Sequence, residues 1–184
     1  MDYIQHPRKF LMLSRIYWAL IVIGIFSCAC PTMASENEVG QEIYRAKKSI
    51  VVNTNCQRAW NVVSDFSGIA KWYSGFSNSQ RVDGNEGQVG EVRELLRSSN
   101  RQVVREKLIY INKDDMELAY THTHNGPVKE SIAIVSMTNL AGGQCLVSWA
   151  NTMKLRDDQD PINIVQKFNA SYEKVLEDLR NYLK

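Results

Sequence analysis

The sequence is short of the residues that break or cross-link folds. Its 184 residues include only 4 Pro and 10 Gly, too few for a collagen-like or low-complexity chain. With 44% hydrophobic and 23% charged residues it is not a disordered one either. Its 4 Cys are too few for a disulfide-dense miniprotein. The absence of a C-x-x-C pair excludes a thioredoxin-like redox centre and argues against a structural zinc. Histidine is scarcer still, at 3. No nucleophile elbow, phosphate-binding loop or dinucleotide fingerprint is present, and the glycines at 84, 87 and 90 fit a hairpin. There is no length for a second full domain.

Only one long apolar run occurs, and it lies at the N-terminus. Residues 1–15 carry Arg8, Lys9 and Arg15 against Asp2, and Ile16–Cys30 follows as a fifteen-residue stretch interrupted only by Gly24 and Ser27. A basic start, an apolar segment and a Thr32-Met33-Ala34 site predict a secretory signal over residues 1–34, cleaved after Ala34. The alternative is an uncleaved membrane anchor reaching from Phe10 to Ala34. Either way residues 35–184 lie outside the cytoplasm, in the periplasm or secreted, touching a membrane only through the N-terminal segment. The formal charge of +2 belongs to that segment. Without residues 1–34 the chain has 19 basic and 19 acidic residues, which gives no footing for nucleic-acid binding. Cys28 and Cys30 fall inside the apolar run, leaving Cys56 and Cys145 to the exported domain.

Within that domain, β-branched and basic residues from Ile43 to Val52 predict a strand. Ala59, Trp60, Val62, Val63 and Phe66 then recur at helical spacing behind an N-cap at Asn53 or Asn55. A second short helical or irregular stretch covers Ile69–Phe76. From there turn signals follow strand-like segments of eight to eleven residues, predicting an antiparallel meander with strands near 77–83, 89–97, 101–111, 116–124, 129–140 and 144–154. Asp160-Pro161 opens a long amphipathic helix with an apolar stripe at Ile162, Val165, Phe168, Tyr172, Val175, Leu176, Leu179, Tyr182 and Leu183. The only partner large enough for that stripe is the sheet. The expected class is α+β: a seven-stranded antiparallel sheet curved around a long C-terminal helix, with two short helices after the first strand.

This order is that of the helix-grip fold, and several motifs give it a family. They are Ala59-Trp60-Asn61-Val62-Val63-Ser64-Asp65-Phe66 with Trp72 beyond it, Gly90-Glu91-Val92-Arg93-Glu94-Leu95, and Val104-Arg105-Glu106-Lys107-Leu108. Leu118-Ala119-Tyr120, Gly126-Pro127 and Val147-Ser148-Trp149 complete the set. In their order and spacing the chain resembles the START-like SRPBCC superfamily, near its polyketide cyclase/dehydrase and lachrymatory-factor-synthase-like branches. The resemblance implies an internal cavity between helix and sheet. It also implies that the first and last strands are antiparallel neighbours, which would bring Cys56 and Cys145 together as a disulfide; two unpaired buried thiols are the alternative.

Strand alternation selects the residues facing such a cavity. Arg93 shares a face with Leu95; Glu106 with Val104, Leu108 and Tyr110; Tyr120 with Leu118 and His122. These sets are apolar with a few polar insertions, the usual make-up of a small-molecule site. The expected ligand-binding residues are Trp72, Arg93, Leu95, Glu106, Leu108, Tyr120 and His122, with Trp72, Tyr73 and Phe76 at the mouth and Trp60 and Phe66 in the core. In synthase-like relatives an Arg and a Glu at the positions of Arg93 and Glu106 act on substrate, so the resemblance nominates this pair for catalysis; a structural ion pair between strands is the other reading. Ser131 departs from the family, which often has an aromatic residue there. His122 and His124 share a strand face, but no third ligand is in view, so His122 is expected to hydrogen-bond in the pocket and no metal or cofactor is expected. Three functions follow: a non-catalytic binder of a hydrophobic small molecule or lipid in a bacterial periplasm; a cyclase, dehydratase or lyase using Arg93 and Glu106; or an accessory protein with a periplasmic partner, as similar exported members are for methanol oxidation. The first is favoured because no complete catalytic constellation is present.

Overall fold

A computed structural model describes residues 42–123 and 127–184. The expected signal or anchor at 1–34 and the second histidine, His124, lie outside these residues. Among the described residues no helix is long and apolar enough to cross a membrane.

β1 (Ile43–Val52) leads into α1 (Cys56–Val63). Asn55 is the N-cap, its side chain accepting from the Arg58 N–H at 2.9 Å, while Asn53 accepts from the Gln144 amide at 2.7 Å. The apolar face of α1 buries Ala59, Trp60 and Val63. A 3-10 helix, Phe66–Lys71, follows and packs on β2 (Phe76–Asp83) and β3 (Val92–Arg97). The meander continues through β4 (Val103–Asn112), β5 (Glu117–His122), β6 (Val128–Asn139) and β7 (Cys145–Leu155). Strand order is β1-β7-β6-β5-β4-β3-β2, antiparallel throughout. The first strand therefore joins the sheet through the last. At that seam Cys56 and Cys145 form a disulfide, with Cα atoms 4.9 Å apart.

α2 (Pro161–Tyr182) closes the fold against β1 and β7. Asp160 caps it, accepting from the N–H groups of Ile162 and Asn163 at 3.0 and 3.4 Å. The buried stripe runs Ile164, Tyr172, Val175, Leu176, Leu179. It begins at Ile164 rather than at the expected Ile162, which is 70% exposed. Two residues turn a helix by about 200°, so Ile162 points away from the sheet when Ile164 points into it.

Two local features depart from simple alternation. β3 begins at Val92, later than expected, because Glu91 is fully buried below the preceding turn. Its carboxylate accepts from the Gly87 N–H at 2.6 Å and from the Ser67 hydroxyl. Gly84 permits this compact turn: its φ is +73°, and a Cβ there would lie 2.5 Å from the Gly90 carbonyl oxygen. The second feature is a bulge in β4. Leu108 pairs with Tyr120, but Tyr110 pairs with Ala119 and Ile111 with Leu118. One extra residue reverses the phase of alternation. Tyr110, expected inside, is consequently 42% exposed, and Ile111 packs against the core in its place.

Candidate functional site

The inner sheet face carries a polar row crossing four strands. The register sets Arg93 opposite Glu106 and Glu106 opposite His122, and Ser131 on β6 continues it. Arg93 donates from Nε to Glu106 Oε2 at 2.8 Å, with Nη2 at 2.6 Å from the same oxygen. Its Nη1 donates to the carbonyl of Phe66, the first residue of the 3-10 helix. The guanidinium lies over the Phe66 ring at 3.8 Å and 5.1 Å from the Tyr120 ring centre, an arrangement that stabilises a desolvated cation. Phe66, expected as ordinary core, is thus one wall of the arginine's seat.

Glu106 presents its other oxygen, Oε1, to His122 Nε2 at 3.3 Å. Burial pushes the Glu106 carboxyl upward, but the Arg93 charge and the His122 contact outweigh it and hold the group at about 2. An ionised carboxylate has no proton to give, so His122 Nε2–H is the donor. In the neutral imidazole Nδ1 is then left to accept the Ser131 hydroxyl proton across 2.7 Å. Glu106 therefore fixes the His122 tautomer, and Ser131, where the family often has an aromatic residue, completes it by donating to Nδ1. Behind the row, the Tyr120 hydroxyl accepts from the Trp149 indole N–H at 3.0 Å, and Trp149 stacks on Tyr172 of α2. Burial raises the Tyr120 and Tyr172 phenols well above the usual tyrosine range, and the Glu106 charge adds to the effect, so both stay protonated.

The row borders open space. A small cavity of about 50 Å³ is lined by Arg93, Glu106, Tyr120, His122 and Trp149 from the sheet, Tyr73 and Phe76 ahead of it, and Phe168 and Tyr172 from α2. Arg97, His122, Phe168 and Ser171 also line a second cavity, of about 360 Å³. Its remaining wall is Ser99, Asn100, Gln102, Val103 and Val104 at the β3–β4 turn, Pro127 and Val128 at the start of β6, and Ile164 and Lys167 of α2.

Of the expected ligand-binding residues, Arg93, Glu106, Tyr120 and His122 meet at a cavity. Trp72, Leu95 and Leu108 line neither one; all three are core residues, in a part of the sheet that the 3-10 helix covers. Of the three aromatic residues expected at the mouth, Tyr73 and Phe76 line the small cavity and Trp72 does not. Sequence reasoning missed Arg97, although the alternation that nominates Arg93 and Leu95 runs on to it. It also missed Phe168, Ser171 and Tyr172, of which Phe168 and Tyr172 sit in the recognised stripe of α2. Among the described residues no three His, Cys, Asp or Glu side chains cluster as metal ligands. The amide of Asn151, buried on β7 between Ala46 and Ala133, makes no hydrogen bond. It faces the Tyr172 hydroxyl closely enough to influence its titration, but outside bonding geometry.

Each polar atom of the row already has a partner. Arg93 has three donors engaged, the Glu106 oxygens both have partners, and the Ser131 hydroxyl is committed to His122. A carboxylate held near 2 is a weak proton acceptor at neutral pH, since a general base works best with a pKa near the ambient pH.

Comparison with known proteins agrees with the fold. No curated relative matches the sequence. Solved structures share the fold at low identity. The protein XoxI from Bacillus cereus superposes with a TM-score of 0.68 at 17% identity, over 76% of this chain and 94% of that one. A Nitrosospira multiformis protein gives 0.66 at 19%, over 77% and 97%, and a Thermobifida fusca protein gives 0.67 at 17%, over 74% and 90%. The family model described as polyketide cyclase / dehydrase and lipid transport matches residues 44–184, and the chain belongs to that family.

Proposed function

We propose that residues 35–184 form an exported binding domain that holds a small apolar organic molecule or lipid between α2 and the sheet without transforming it. The observation that carries this reading is a cavity of about 360 Å³, within the range of about 300–1,000 Å³ usual for small-molecule sites, beside a polar row whose atoms already have partners within the protein. A polar row of this kind orients a ligand and keeps the site's shape. It leaves the Glu106 carboxylate a weak base, held at about 2 by Arg93 and His122. Export is supported by the N-terminal sequence and by the Cys56–Cys145 disulfide, which persists in oxidising compartments.

The test is to purify the full chain gently from its compartment, release any bound molecule with denaturing solvent, and identify it by mass spectrometry. An apolar molecule present in near-stoichiometric amount, lost from a variant that fills the cavity such as Val104→Trp, is the expected result. A protein that is empty, and that takes up no apolar probe, refutes the reading. Cell fractionation tests export: the chain should be found outside the cytoplasm with its disulfide formed. The enzymatic reading uses the same row, with Arg93 and Glu106 acting on substrate. It requires turnover that Glu106→Gln abolishes while binding persists.

A further inference from the structure

The larger cavity has a charge character that the polar row does not explain. Its wall includes Arg97 and Lys167 and no carboxylate. Arg97 shares the inner face of β3 with Arg93 and is half-buried, yet among the described residues no ion pair or hydrogen bond engages its guanidinium. The same is true of the ammonium of Lys167, an exposed residue of α2. For the half-buried Arg97 the missing counter-charge is costly, and the cost falls when an anion enters.

Val103, Val104, Val128, Ile164 and Phe168 give the larger cavity an apolar wall. Arg97 and Phe168 also line the small cavity, where the Glu106 carboxylate is neutralised by Arg93 and Tyr73, Phe76 and Trp149 add aromatic surface. The larger cavity therefore sets two cations without a counter-charge beside apolar surface.

Resting on the binding reading above, we infer that the ligand is a single-chain amphiphilic anion, its carboxylate or phosphate held by Arg97 and Lys167 and its apolar chain lying along α2 toward Phe168. A neutral lipid would leave Arg97 uncompensated, and a cationic amphiphile would meet two like charges.

Calorimetric titration of the full chain with four probes of equal chain length tests this: octanoate, octyl phosphate, octanol and octyltrimethylammonium. At least one anion should bind about tenfold or more tightly than octanol, as expected for one charge-assisted contact, and whichever anion wins identifies the head group. Its affinity should fall with added salt while that of octanol does not. Arg97→Gln and Lys167→Gln should each erase most of that advantage, weakening the anion far more than octanol, with Arg97→Lys restoring part of it. If octanol or octyltrimethylammonium binds as tightly as the anions, or if the winning anion shows no salt dependence, the inference is overturned while the binding reading stands. If none of the four binds, both fall together. Should Arg97→Gln prove unfolded by its melting curve, Lys167→Gln and the salt series decide alone.

Discussion

Removing one member of the buried Arg93–Glu106 pair tests whether this row is a structural element. The Glu106 carboxyl titrates at about 2 against an ordinary 4.5. A depression of that size links to roughly 3 kcal/mol of folding stability. Independently, leaving one buried charge without its partner costs about 3–5 kcal/mol. Because the folded-state pKa is depressed, this stability is fully present above about pH 5 and is lost as the pH falls through 4.5 toward 2. Arg93→Met, which strands the carboxylate, and Glu106→Gln, which strands the guanidinium, should each lower Tm by about 10 °C at pH 7, taking roughly 2–4 °C per kcal/mol for a domain of this size. Glu106→Gln should also flatten the decline in stability between pH 5 and pH 2. The double variant Arg93→Met/Glu106→Leu should recover most of the loss, since an apolar pair of similar volume replaces two desolvated charges, and His122 is exposed enough to give its Nε2–H to cavity water. Chemical denaturation of the four proteins across pH is the assay. Singles that cost under about 1 kcal/mol, or a double variant as unstable as the summed singles, would refute the account.

Reduction of Cys56–Cys145, which spans a sequence separation of 89, should cost about 4.6 kcal/mol in the chain-entropy model; calorimetry with and without dithiothreitol checks it, and an unchanged Tm contradicts it. The β4 bulge predicts opposite outcomes for two neighbouring inner-phase residues: Leu108→Ala should destabilise by about 2–5 kcal/mol and Tyr110→Ala by less than about 1, measured by urea unfolding. Asn151→Val removes two buried polar atoms without partners at a strand position flanked by alanines, and should raise stability by about 1 kcal/mol. A loss of that size would mean the amide has a partner in solution.

The element order could be read from the sequence because each boundary carried its own chemistry. Asp160-Pro161 capped α2, paired turn residues marked the meander, and the neighbouring of first and last strands followed from the resemblance. The bulge was invisible because Leu108, Ile109, Tyr110 and Ile111 are all apolar, so a change of phase leaves no polar residue on the wrong side to reveal it. Glu91 was hidden for the opposite reason: an acidic residue beside glycine reads as a solvated turn, and only the fold shows the Gly87 N–H and Ser67 hydroxyl converging on it. Alternation grouped Arg93, Glu106 and His122 with their apolar face-mates on adjacent strands, and the resemblance singled out Arg93 and Glu106 among them. The opening defined by Arg97 and Lys167 was not, since those residues lie 70 positions apart on elements whose relative placement no local pattern encodes.

The pairing of β1 with β7 also governs when the chain can fold. Ile43 meets Lys154 and Val52 meets Cys145, so the first strand waits for the last. The helix that covers both is made later still. Contacts of such long sequence separation slow folding and prevent an emerging N-terminal portion from closing its sheet on the ribosome. The disulfide at the same seam can then form only after nearly all of the polypeptide is present, so one thiol pair records completed assembly. A chain that crosses a membrane before it folds gains from this delay, because it remains threadable until its last thirty or so residues have followed.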